Sequence, residues 1–173
     1  ARLPWLLIGL LGGIFGALVI NQYEDTLQIY PEMALFIPLI AAMGGNVGVQ
    51  SSAIIVQGLA NNSLGFDNLF QRLGKELLVA LVNGLVCSML ILIYTMIYKD
   101  NNALAGTVSV ALVLVIAFAG LFGTFVPLML DKYKIDPALA TGPFITTMND
   151  IVGLFIYFSI GHLMYIWLKG FLQ

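Results

Sequence analysis

The sequence predicts an all-α integral membrane protein with five spanning helices, and three observations carry that expectation. Hydrophobic residues supply 60% of its 173 positions and charged residues only 9%, where a soluble domain carries roughly a quarter charged residues. Mean hydropathy is +0.98, more than a soluble core of this size needs. The apolar residues also gather into stretches of the length that a bilayer demands, about 20 residues each.

Taken in order, the first stretch runs from Leu3 to Asn21 and carries Gly9-x-x-x-Gly13 and Gly12-x-x-x-Gly16, spacings that let another helix approach closely. The second, Met33 to Ala60, contains Pro38 and Gly44-Gly45, with the amides Asn46, Gln50 and Gln57 at helical spacing around Gly48, Ser51 and Ser52. Such amides serve either as glue between helices or as the lining of a pore. The third, Leu69 to Tyr98, holds the lone cysteine, Cys87, which reads as a small buried hydrophobe and excludes a disulfide framework. The fourth runs from Ala103 to Leu130, and the fifth from Pro137 to Leu168 with Gly142-Pro143 near its start. Gln22 to Glu32, Asn61 to Asn68, Lys99 to Asn102 and Asp131 to Asp136 are short polar connections, as surface loops should be. The second, third and fifth stretches exceed a bilayer, since some 30 helical residues run roughly 45 Å. The breakers in the second and fifth make those two the candidates to line a cavity, because freed carbonyls at membrane depth must meet protein or water.

With the N-terminus cytoplasmic, Arg2, Arg72, Lys75, Lys132 and Lys134 lie inside, and Lys99 and Lys169 outside. That distribution obeys the positive-inside rule, and the reverse topology violates it. Glu24, Asp25, Glu32 and Asp100 then give the outer side a mild negative field that attracts cations. A net charge of -2 argues against nucleic acid as a partner. No glycine-rich phosphate loop, His/Cys metal cluster or Ser-His-Asp set stands in the sequence, so no enzyme is expected. The chain opens on Ala1 and enters an apolar stretch at once, which predicts one transmembrane domain, residues 1–173, from a longer protein.

Asp150 is the one acidic residue deep in a long apolar stretch, and no basic residue shares its depth. A carboxylate there costs at least a few kcal/mol. It must be protonated, hydrated in a pore or neutralised by a passing cation, and each option points to transport. Steps of three and four along a helix connect Asp150 with Thr146, Thr147, Gly153, Tyr157 and Gly142-Pro143, a small, hydroxylated and acidic face. His162, beside Gly161 and near Tyr165 and Trp167, reads as a membrane-interface residue. Oxygen donors without clustered His or Cys suit Mg²⁺, Mn²⁺ or Ca²⁺ better than Zn²⁺ or Cu²⁺. One carboxylate matches a divalent ion poorly, whereas a two-fold dimer places two around one axis. On that axis, introduced cysteines at Thr147 or Gly153 are expected to crosslink between chains.

The stretch from Asp136 to Leu154, with Ala140-Thr141-Gly142-Pro143-Phe144-Ile145-Thr146-Thr147-Met148-Asn149-Asp150, closely resembles the last membrane helix of the MgtE magnesium channels. Gly44-Gly45-Asn46-Val47-Gly48-Val49-Gln50-Ser51 resembles their second helix, and the likeness covers essentially the whole chain. The resemblance implies a homodimer in the inner membrane, with a pore on the two-fold axis built from the second and fifth helices. It implies that Asp150 binds hydrated Mg²⁺, with the carbonyl of Thr146 helping to hold its waters. An asparagine found in some members falls at Gly142 here. Asn46, Gln50, Gly142, Thr147, Asn149 and Gly153 are the expected pore-lining residues. Full-length members also carry a cytoplasmic N domain, paired CBS domains and a plug helix. The function expected is a Mg²⁺-selective pore conducting the hydrated ion into the cytoplasm. A carrier coupled to H⁺ or Na⁺ is the alternative within transport. An intramembrane aspartyl protease needs a second catalytic aspartate, and a mere anchor has no use for an unpaired Asp150.

Overall fold

A computed structural model describes residues 3–64, 69–99, 101–139 and 142–171, without the side chains of residues 5, 139 and 167–171. Arg2, Asp100 and the side chains of Trp167 and Lys169 therefore lie outside the described residues. In chain order the elements are α1 (Leu3–Gln22), α2 (Glu24–Ile29), a 3-10 segment over Pro31–Phe36, α3 (Ile37–Ala60), α4 (Leu69–Lys99), α5 (Asn102–Lys132), a 3-10 turn over Pro137–Leu139, and α6 (Pro143–Phe171). Among the described residues there is no strand.

Four stretches, Pro31–Ala60, Leu69–Lys99, Asn102–Lys132 and Pro143–Ile166, are long and apolar enough to cross a membrane, by length and composition. The described apolar part of the first helix, Leu6–Gln22, is shorter. Among the described residues the chain thus has four candidate spans and one shorter apolar helix, the make-up of a multi-pass membrane protein. All 20 residues of α1 together run about 30 Å, the thickness of the hydrocarbon core.

Helix ends follow local chemistry. Asn101 caps α5, its side-chain oxygen accepting from Leu104 N at 3.0 Å, which satisfies one of the free N–H groups at a helix start. Gly142 takes φ +107, open to glycine and strained for other residues. Pro143 then occupies the first position of α6, where the missing N–H costs nothing. The fifth predicted stretch is accordingly divided: Pro137 begins a separate turn, and the long helix starts six residues later. The second also breaks earlier than its glycines suggest, at the 3-10 to α junction of Phe36 and Ile37, while Gly44-Gly45 stays within a continuous α3. The predicted loop from Gln22 to Glu32 contains α2, steadied by Gln28 Nε2 donating to Glu24 Oε1 at 3.3 Å.

α5 occupies the centre and packs against α3, α4 and α6, while α1 rests chiefly on α6 and α4 chiefly on α5. Leu104, Val108, Leu112, Val115 and Ile116 of α5 form the core with Met33, Phe36, Ile40, Tyr157 and Phe158. Within a membrane, helices gain from close packing and hydrogen bonds more than from apolar burial, and small residues supply the closeness here. A Cβ at Gly48 would run into the amide of Asn149, and one at Gly123 would meet the carbonyl of Gly48. At this level α3 and α5 therefore meet almost backbone to backbone, and α6 closes on them through the Asn149 side chain. Arg72 and Lys75 at the start of α4 share one end of the bundle with Lys132, the last residue of α5, and Lys134 just beyond it, because α4 and α5 are consecutive antiparallel neighbours. Glu32 and Asn101 meet at the other end, with Asn101 Nδ2 donating to Glu32 Oε2 at 2.9 Å.

Candidate functional site

A groove of about 520 Å³ runs between α3 and α6, lined by Ala41, Ala42, Gly45, Asn46, Val49 and Gln50 from α3 and by Thr146 and Asp150 from α6. The α3 residues recur at intervals of three and four, so one helical stripe supplies them. Thr146 and Asp150 stand one turn apart on the facing helix. Gly45 faces both: a Cβ there would stand in ordinary contact, 3.8 Å from Asp150 Oδ1 and from Thr146 Cγ2.

Among the described residues, the Asp150 carboxylate has neither a hydrogen-bond nor an ion-pair partner. It is half-buried, and it also borders a second hollow of about 320 Å³ between α1, α3 and α6, lined by Gly9, Gly13, Ala17, Thr147 and Leu154 among others. Thr146 is already committed: Oγ1 donates to the carbonyls of Gly142 and Pro143 at 3.2 and 3.1 Å. Its methyl faces Gly45, so any ion-facing oxygen of Thr146 is a backbone carbonyl, whose second lone pair is free even inside a helix. Asn46 and Gln50 are exposed within the groove, and their amides offer both donors and acceptors.

The groove thus gathers Asp150, Thr146, Asn46 and Gln50. The other four expected pore residues lie elsewhere in the chain. Thr147 points toward α1, where it presses on Gly12. Asn149 is 1% exposed, turned toward α3 and α5, with both amide atoms lacking a partner. Gly153 is buried near Val115 and Ile40, at 3.4 Å or more from an added Cβ. Gly142 serves the start of α6 through its carbonyl, which accepts from Thr146 N at 3.0 Å. Tyr157 donates its hydroxyl to the Met33 carbonyl at 2.9 Å, which makes it part of the core. His162 is exposed and borders a small hollow with Asp25, Thr26 and Tyr165.

Sequence reasoning passed over Glu76. It lies one turn inside α4 beyond Arg72, and Ser51 Oγ of α3 donates to its Oε1 at 2.6 Å. A charged hydrogen bond of this length ties α4 to the middle of the helix that lines the groove, next to Gln50. The sequence signal was available, because Ser51 follows the small-residue stripe of the second predicted stretch, but nothing in the spacing says which helix it faces.

Comparison with known proteins converges on one family. The MgtE family profile, described as a divalent cation transporter, matches residues 37–160. A magnesium transporter MgtE of Bacillus subtilis is 38% identical over 159 residues, covering 92% of this chain and 35% of the relative. That of Enterococcus faecalis is 37% identical over the same shares of each chain. The magnesium transporter MgtE of Thermus thermophilus is 34% identical, covering 95% of this chain and 36% of the relative. The chain spans about a third of the length of these relatives.

Proposed function

The chain belongs to the MgtE family of divalent cation transporters, whose activity is transport rather than catalysis, and on that premise we propose that it is the pore-forming part of a Mg²⁺-selective channel. In this reading it works as a homodimer in the inner membrane and passes hydrated Mg²⁺ into the cytoplasm down its electrochemical gradient. The observation that carries it is the unpartnered Asp150 carboxylate in a groove whose other polar walls are amide side chains. Its burial without a partner costs free energy, and a divalent cation recovers that cost each time one passes.

The chemistry suits an ion that keeps its waters. Mg²⁺ sheds its hydration shell reluctantly, so Asp150, the Thr146 carbonyl and the amides of Asn46 and Gln50 would hold it through hydrogen bonds to shell waters. Mn²⁺ and Ca²⁺ meet the same oxygen donors, and discrimination among them rests on shell size. An inside-negative potential of 100 mV contributes about 2.3 kcal/mol per charge, hence about 4.6 kcal/mol for a divalent ion.

Asp150→Asn tests the reading. Proteoliposomes with an entrapped Mg²⁺ indicator should show Mg²⁺ uptake reduced at least about tenfold, while the variant elutes from size exclusion as the wild type does. Undiminished Mg²⁺ influx through the variant removes Asp150 from the site.

A further inference from the structure

A second pocket, away from the groove, has features that the transport reading leaves unused. It measures about 350 Å³ and lies where the first turns of α4 meet α3 and α5, with Gln71, Arg72, Lys75, Glu76 and Thr124 among its walls. Ile54 and Val79, 63% and 53% exposed, form its apolar flank.

Three observations describe what fits. First, the pocket carries two cations against one carboxylate, and that carboxylate is already engaged by the Ser51 hydroxyl. Arg72 and Lys75 have no ion-pair partner among the described residues. Second, Thr124 forms part of the wall, is 1% exposed, and its hydroxyl lacks a hydrogen-bond partner. Buried hydroxyls are normally satisfied, so this hydroxyl is a ready donor or acceptor at the pocket wall. Third, the depth is that of lipid headgroups. α4 has 31 residues, about 46 Å at 1.5 Å each, close to the 40 to 45 Å of a bilayer including its polar zones. Arg72 and Lys75, in the first two turns, fall within such a zone, and Val79 continues from them into the apolar layer.

We propose that this pocket binds an anionic phospholipid, its phosphate held by Arg72 and Lys75, its glycerol oxygens toward Thr124, and an acyl chain against Ile54 and Val79. Arg presents a planar fork of donors to phosphate, and Lys adds a point charge. Basic pockets between membrane helices recognise anionic headgroups in this way. A zwitterionic lipid would bring an ammonium group beside two cations, which an anionic headgroup does not. Because Glu76 bonds Ser51 on α3, the lipid would rest against the link that holds the groove helix to α4 next to Gln50.

Native mass spectrometry of the purified protein with phosphatidylglycerol and phosphatidylcholine at equal concentration decides the matter. The wild type should retain phosphatidylglycerol in preference by about thirtyfold, the size expected from two basic side chains at a membrane surface. Arg72→Gln with Lys75→Gln should bring the ratio to near parity, whereas Arg72→Lys with Lys75→Arg, which keeps both charges, should preserve most of it. Lys132→Gln with Lys134→Gln, at the same end of the bundle, should leave the preference intact. Equal retention of the two lipids by the wild type overturns the proposal, as does an equal loss in the Lys132/Lys134 variant, which would mean diffuse surface charge. Displacement of phosphatidylglycerol by millimolar inorganic phosphate would assign the pocket to a soluble anion instead.

Discussion

At the scale of single residues, the chain contains two carboxylates at helix faces with opposite surroundings. Asp150 stands partnerless at a groove, while Glu76 accepts a 2.6 Å bond from Ser51. Hydrogen bonds to charged groups contribute about 1.5 to 3 kcal/mol, so Ser51→Ala should lower thermal stability in detergent by a few degrees. Glu76→Gln keeps a carbonyl oxygen to accept from Ser51 and should cost less than Ser51→Ala. Unfolding curves in one detergent rank the two, and a larger loss in Glu76→Gln would show that charge matters there more than the bond. The unusual position of Asp150 was legible because its chemistry clashes with its sequence neighbourhood. Glu76 was not, since a carboxylate near a helix start reads as an ordinary interface charge until the helix opposite is known.

At the scale of elements, the breaks between spans were legible and the sharing of faces was not. Polar connections act locally, so the loops between spans could be read from sequence alone, whereas Gly142-Pro143, expected as a breaker inside the fifth stretch, is where the long helix begins. The stripe around Asp150 was expected to serve one surface. In the fold it is divided: Thr146 and Asp150 open on the groove, Thr147 meets α1, and Tyr157 is covered through the Met33 carbonyl by a 3-10 segment that the sequence had joined to the second span. Close packing gives this division its rigidity. An added Cβ at Gly123 strikes the Gly48 carbonyl, a backbone atom without freedom to swing aside, whereas one at Gly13 meets nothing within 4 Å. Gly123→Ala should therefore lose about 1 to 3 kcal/mol to overpacking, although alanine is the better helix former. Gly13→Ala should be neutral or mildly stabilising by the same propensity. Thermal unfolding of both variants in detergent checks the contrast, and equal stability would mean that α3 and α5 can separate freely at this level.

At the scale of the whole molecule, the groove leaves polar side chains uncovered by the chain itself. Asn46 and Gln50 are exposed side by side on α3, with Gln57 exposed two turns further along. Polar amides directed at hydrocarbon are costly, so this face requires water or another protein surface. One chain also brings a single carboxylate to a divalent ion. A second copy related by a two-fold axis answers both demands, because an isologous interface sets the same stripe against itself and lines the space between with amides and two Asp150 carboxylates. The fold changes which positions report on that interface: Thr147, against α1, and Gly153, in the core, are poor crosslinking sites despite their spacing from Asp150. With Cys87 replaced by serine, single cysteines at Asn46 or Gln50 should form chain-to-chain disulfides readily in membranes. Cysteines at Leu85 or Met89, 60% and 64% exposed on the far side of α4, should not, since that apolar face suits lipid. Equal crosslinking at all four positions would indicate random collision, and a monodisperse monomer that conducts Mg²⁺ would remove the need for a shared axis altogether.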